Sequence, residues 1–128
     1  MRTLLIISLL AMSSAAAADS CPVKNTGSTF LTDLVKEIGK AKTCDGAASL
    51  AEKCALGASG DAVIAGAAVD VCKKDFAKSK DDTALHDKLA KRCGAKYEKM
   101  QGTMYVSMAA FCSLDVAKLL SNLNRAAP

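Results

Sequence analysis

The stretch Asp61-Ala-Val-Ile-Ala-Gly-Ala-Ala-Val-Asp-Val-Cys-Lys-Lys-Asp-Phe76 decides the fold class. Ile64, Ala67, Ala68, Val71, Cys72 and Phe76 recur at three- and four-residue steps, the period of a helix that buries one face. Asp61 stands where a helix cap belongs, and the Ala- and Gly-rich run 62–69 lets a neighbouring backbone approach closely. Just upstream, Gly57-Ala58-Ser59-Gly60 reads as a turn. Before it, Asp45-Gly46 opens a short helix with Ala47, Leu50, Ala51 and Cys54 on one face. Earlier still, Ser28 is placed to cap a helix carrying Leu31, Leu34, Val35 and Ile38.

Downstream of Phe76, residues 79–83 read as a loop, and a fourth helix follows with Leu85, Leu89, Cys93 and Tyr97 at four-residue steps. Gly102 interrupts it. Thr103 then caps a fifth helix running through Leu123, expected to turn Met108, Phe111, Cys112, Leu119 and Leu123 inward. β-branched residues are sparse and no alternating run survives, so nothing reads as a strand. The expected fold is all-α, a small disulfide-stapled bundle of four to five short helices.

The first eighteen residues stand apart. Met1-Arg2 precede the apolar run 3–12 and the small-residue exit Ser13-Ser14-Ala15-Ala-Ala-Ala18, the three parts of a secretory signal peptide. Ala16 and Ala18 place the cut before Asp19, leaving 19–128 as a single helical domain. Among charged residues only Arg2 is lost, so the mature chain stays mildly basic. No later apolar stretch reads as long enough to span a bilayer, which predicts no stable membrane insertion.

The 128 residues contain six cysteines, and all six lie after the expected cut. In an exported chain of this size they read as a disulfide framework, which points to the periplasm. No two lie at the two-residue spacing of zinc ribbons or redox pairs, and His86 is the only histidine. Six cysteines allow fifteen pairings. Antiparallel helix pairs favour one of them, because residues equidistant from a turn face each other. Cys93 and Cys112 flank Gly102 almost evenly, Cys44 and Cys72 are equidistant from Ala58, and Cys21 and Cys54 remain.

No catalytic constellation emerges. His86, between Leu85 and Asp87, has no nucleophile nearby in sequence and reads as a solvated helix residue. The carboxylates are scattered beside lysines, and no glycine loop cradles a phosphate. The expectation is a protein that is not an enzyme and needs no cofactor or metal. Nine basic side chains (Lys73, Lys74, Lys78, Lys80, Lys88, Lys91, Arg92, Lys96 and Lys99) fall between 73 and 99 against five acids there. With a formal charge of only +4 and 4% aromatic residues, nucleic acid is not an expected partner. Met100, Met104 and Met108 recur every four residues in an uncharged stretch. Their thioethers suit core packing, partner contact or copper(I).

Cys44-Asp-Gly-Ala-Ala-Ser-Leu-Ala-Glu-Lys-Cys54 resembles the first cysteine pair of the LprI-type lysozyme-inhibitor domains. Cys93, the Gly/Thr/Met insert at 102–104 and Cys112-Ser-Leu-Asp-Val-Ala-Lys-Leu-Leu120 are similar to that family's closing segment. Leu89-Ala-Lys-Arg92 stands where the family carries an aromatic residue, and Cys21 and Cys72 are additional. The resemblance implies a periplasmic protein that inhibits a peptidoglycan hydrolase of lysozyme type and so supports envelope integrity. An inhibitor presents a short rigid element to a cleft. Here that element would be Gln101, Gly102, Thr103, Met104 and Tyr105, clamped by Cys93 and Cys112, with Lys96 and Lys99 available to the enzyme's carboxylates. The same profile resembles the small periplasmic immunity proteins that act against injected amidases. Copper(I) binding by the three methionines and a purely structural envelope role are the other readings.

Overall fold

The computed structural model describes residues 20–127. The expected signal peptide and cleavage site lie outside the described residues. Five helices follow one another: α1 (Phe30–Gly39), α2 (Cys44–Lys53), α3 (Asp61–Phe76), α4 (Lys80–Tyr97) and α5 (Thr103–Ala126). Among the described residues there is no strand. The all-α, disulfide-stapled bundle is the observed fold.

The core is assembled around α3. Ile64, Ala65, Ala68, Val69, Val71 and Phe76 meet Phe30, Leu34 and Ile38 of α1, Ala47, Ala48 and Ala51 of α2, and Leu114, Ala117 and Leu120 of α5. Much of this core is alanine. Small side chains bring backbones close and bury little apolar area each, so covalent staples carry a larger share of the stability. The staples are Cys21–Cys54, Cys44–Cys72 and Cys93–Cys112, the pairing expected from the turns. They close separations of 33, 28 and 19 residues. Chain entropy puts each at about 3–4 kcal/mol against the unfolded state. Three disulfides with no free cysteine are the pattern of an extracellular or periplasmic protein.

Helix starts differ from the sequence expectation in instructive ways. Thr29, not Ser28, precedes α1, and no side chain caps it. Thr43 caps α2, its hydroxyl accepting from Gly46 N at 3.1 Å. Ser79 caps α4 by accepting from Asp82 N, so the loop expected over 79–83 is already helical from Lys80. Asp61 is the first residue of α3 rather than its cap, and it is fully buried. Its Oδ1 accepts from Leu56 N at 2.7 Å and its Oδ2 from Gly57 N at 2.8 Å. Ser107 Oγ of α5 donates to the same Oδ2 at 2.6 Å. One carboxylate thus organises the α2–α3 turn and anchors the start of α5.

The larger corrections concern which faces of α4 and α5 turn inward. In α4 the buried residues are His86 and Cys93, whereas Leu85 is exposed and Leu89 and Tyr97 are half-buried. In α5 the buried residues are Ser107, Leu114, Ala117, Leu120 and Ser121. Met108, Leu119 and Leu123, expected inside, are exposed, the latter two by 57% and 59%. The sequence carries two apolar faces on this helix. The inner one is small, with Leu114 and Leu120 set among Ala and Ser, and its serines hydrogen-bond across to α3 through Ser107–Asp61 and Ser121–Asp75. Two apolar faces also explain why α5 is long and apolar enough to cross a membrane by length and composition, which the sequence reading did not anticipate. It is nevertheless bound into the bundle by Cys112, by Lys118–Glu52 at 2.8 Å and by Arg125–Asp45 at 2.9 Å.

Candidate functional site

α4 packs against α5 and scarcely touches α3. Two features result: a hairpin tip where α4 turns into α5, and a groove between α3 and α4 floored by α5.

The tip is residues 98–102. Gly102 has φ +113°, a region that side chains other than glycine rarely adopt, and this residue lets the chain reverse directly into α5. Of the residues expected to contact a partner, Gln101, Gly102, Thr103 and Met104 are exposed, and so are Lys96 and Lys99. Tyr105 is half-buried and stacked on Tyr97 with ring centroids 6.2 Å apart. Lys96 Nζ lies 5.2 Å from the Tyr97 ring centre. Behind the rings, Cys93–Cys112 ties the two helices together. The structure therefore brings Lys96, Tyr97, Tyr105 and the 101–104 segment into one rigid end. Lys99 shares that end, but no contact joins it to the tyrosines.

The three methionines are not core residues. Met100, Met104 and Met108 are all exposed, Met104 by 54%. Met104 and Met108 lie one turn apart on α5, and Leu119 and Leu123 fall in the same sector, roughly 100° wide, nearer the C-terminal end, with half-buried Cys112 and exposed Asp115 between the two pairs. Apolar side chains left in water along a helix in this way mark a contact surface more often than a lapse in packing.

The groove has a volume of about 740 Å³. Small residues line it: Ala62 and Gly66 from α3, Ala90 and Gly94 from α4, Ala109 and Ala110 from α5. A Cβ at Gly66 or Gly94 would meet nothing within 4 Å, so neither glycine is there to relieve a backbone contact. A mid-helix glycine costs about 0.5–1 kcal/mol relative to alanine. The fold bears that cost once on each of these two groove walls, and no backbone contact requires it. At the far end from the tip, Asp70, Lys73, His86 and Asp87 enter the lining.

His86 is the sequence expectation most plainly overturned. It is 3% exposed, not solvated, and its ring packs on Phe76 with centroids 5.7 Å apart. Burial follows from the α3–α4 turn, which folds α4 back so that the ring covers Phe76. Nδ1 lies 3.3 Å from Asp87 Oδ1. A carboxylate only accepts, so in this contact Nδ1 is the donor. Nε2 is buried without a hydrogen-bond partner.

Electrostatics elsewhere are those of a solvated surface. The pKa of Lys118 is raised above 10.5, first by its hydrogen bond to Glu52. The pKa of Arg125 is raised in the same way by Asp45. Among the described residues, no group of three or more His, Cys, Asp or Glu side chains is placed to hold a metal ion. Sequence reasoning missed Asp61, His86 and the two groove glycines. Only the glycines left a signal, as helix-breaking residues inside otherwise strong helical patterns.

No family model, curated protein or solved structure matches this chain.

Proposed function

We propose that this protein acts in the periplasm as an inhibitor of a peptidoglycan hydrolase, inserting the α4–α5 tip into the enzyme's cleft. The observation that supports this most is the tip itself. Exposed Met100, Met104 and the 101–103 segment stand on stacked tyrosines clamped by a disulfide. A prerigidified element of that kind loses little entropy on docking, which is how small inhibitors reach useful affinity. Lys96, held beside the tyrosine stack, supplies a cation for the carboxylates of a glycosidase cleft.

The reading is tested by titrating the purified oxidised protein into a muramidase and, in parallel, a peptidoglycan amidase. Inhibition of the muramidase that is lost in Met104→Asp and weakened in Lys96→Ala supports it. Inhibition of the amidase alone moves the target to the immunity-type reading. No effect on either enzyme at micromolar excess refutes inhibition by this tip. A second reading is favoured by one observation, the exposure of all three methionines, which leaves their thioethers free for copper(I). Copper(I) titration of the protein and of a variant with Met100, Met104 and Met108 changed to Leu decides it.

A further inference from the structure

The Cys93–Cys112 disulfide divides the α4–α5 hairpin into two sides. At about 100° per residue around each axis, Ala90, Gly94 and Glu98 of α4 and Val106, Ala109 and Ser113 of α5 fall on one side, which is the groove. The flanks turned away from the groove share the other side. There α4 places Leu85, Lys88, Arg92 and Lys96, roughly 60–140° from Cys93, and α5 places Met104, Met108 and Leu119, within about 80° of Cys112. All seven are exposed, and none of them lines the groove.

Charge is sorted between the two sides. Asp87 and Glu98 of α4 line the groove, so the opposite flank carries no acid from Leu85 to Lys96. Asp81 at the start of α4 and Asp115 of α5 border it. Among the described residues, no ion pair involves Lys88, Arg92 or Lys96. The result is a face about 22 Å long from Met104 to Leu119, with a Met and Leu row on one helix and unpaired cations along the other.

That arrangement selects its occupant. A second copy of the chain would bring the same unpaired cations into one interface and double the uncompensated charge. An acidic protein would answer the cations, but flexible Met and Leu side chains on a convex helix offer no pocket for the rigid anchors that dominate such contacts. A leaflet of anionic phospholipid answers both parts. Lysine and arginine stems reach to phosphates while apolar tips enter the acyl boundary, as in helices that lie in the interface plane. We propose that this side of the α4–α5 hairpin docks on an anionic membrane surface. Leu85, Met108 and Leu119 enter the interface, and Lys88 and Arg92 hold the phosphates. The protein lies on the leaflet without crossing it, because the inner face of α5 stays in the bundle core.

The test uses the oxidised protein and vesicles of phosphatidylcholine, alone or mixed with an equal part of phosphatidylglycerol, with bound protein measured by co-sedimentation. Binding to the mixed vesicles at least tenfold tighter than to phosphatidylcholine is expected. A cation at an anionic leaflet contributes about fivefold, so Lys88→Gln with Arg92→Gln should weaken binding roughly twenty- to thirtyfold. Removing the same charge from α1 and α3, by Lys36→Gln with Lys74→Gln, should change it by less than about threefold. Leu85→Ser with Leu119→Ser should weaken binding at least fivefold without lowering the thermal midpoint appreciably, since both side chains are exposed. The chain has no tryptophan, so Leu119→Trp supplies a single emission that should move to shorter wavelength on the mixed vesicles. Equal binding to both vesicle types or none, equal losses in the two Gln pairs, unchanged affinity in the Ser pair, or an unmoved emission from bound protein would each overturn the proposal. So would capture by polyglutamate but not by vesicles, or a dimer that Leu119→Ser dissolves. None of the substituted residues belongs to the tip, so this reading and the inhibitory one can fail separately.

Discussion

Replacing Asp61 with Asn keeps shape and volume and removes one acceptor. In the native protein, Oδ1 holds Leu56 N–H and Oδ2 holds both Gly57 N–H and the Ser107 hydroxyl. An asparagine has one carbonyl oxygen and one NH2. If the oxygen takes the Oδ2 place, the NH2 confronts Leu56 N–H. If it takes the Oδ1 place, the NH2 confronts Gly57 N–H, and only Ser107 can turn to accept. In both orientations one backbone donor in the α2–α3 turn loses its partner, at about 1–3 kcal/mol. The bonds that survive are no longer charge-assisted and weaken by some tenths more. The total is about 2–3 kcal/mol, which in a domain of this size lowers the thermal midpoint by roughly 10–20 °C. Ser107→Ala, which leaves both backbone bonds intact, should cost only about 1 kcal/mol. Thermal unfolding with disulfides intact measures both, and amide exchange separates them. Leu56 and Gly57 should exchange faster in Asp61→Asn and unchanged in Ser107→Ala. A loss below 0.5 kcal/mol in Asp61→Asn (on the usual scale for neutral surface changes) would refute the reasoning, because the carboxylate would then not be organising the turn.

Three other outcomes follow from the packing. Changing Cys93 and Cys112 together to Ser should cost about 3 kcal/mol by chain entropy, measured by denaturant unfolding, while the other two disulfides still form. Leu114→Ala should lose about 2–5 kcal/mol, and Leu119→Ala on the same helix should stay within about 0.5 kcal/mol; equal losses would mean that α5 is turned the other way round. The pKa of Lys118 is raised in the folded state, so its pair with Glu52 contributes below pH 10.5 and the contribution is lost as pH rises through the folded value. Glu52→Gln should therefore cost less than about 1 kcal/mol near pH 7, and the difference from the parent should vanish above that range.

Much of the scaffold was legible because the signals were local and mutually consistent. Turn glycines at 57, 60 and 102 set the helix boundaries, and equal cysteine distances from those turns gave the pairing that the structure has. The faces of α4 and α5 were not legible in the same way. Periodicity finds an apolar stripe but does not say which of two stripes is inside. On α5 the stripe of Met104, Met108, Leu119 and Leu123 has larger side chains than the true inner face. The inner face wins because its alanines and serines let α5 approach α3, and because Ser107 and Ser121 reach acids on α3 that have no meaning until α3 is adjacent. His86 was misread for the same reason: its burial depends on Phe76, across a turn rather than one helical turn away.

The misreadings and the candidate sites share an origin. A residue that departs from what its own helix would choose is satisfying something outside that helix. For Ser107 and Asp61 the outside partner is each other, and the departure is structural. Met104, Leu119 and Leu123 are each left more than half exposed by the bundle. For Gly66 and Gly94 the bundle offers room for a larger residue that the sequence does not take. His86 Nε2 is buried with no hydrogen-bond partner. The last two departures occur along one groove, and methyl groups would be the cheaper choice there for stability alone. The tip and the groove meet at Tyr97 and Tyr105, whose stacked rings belong to both.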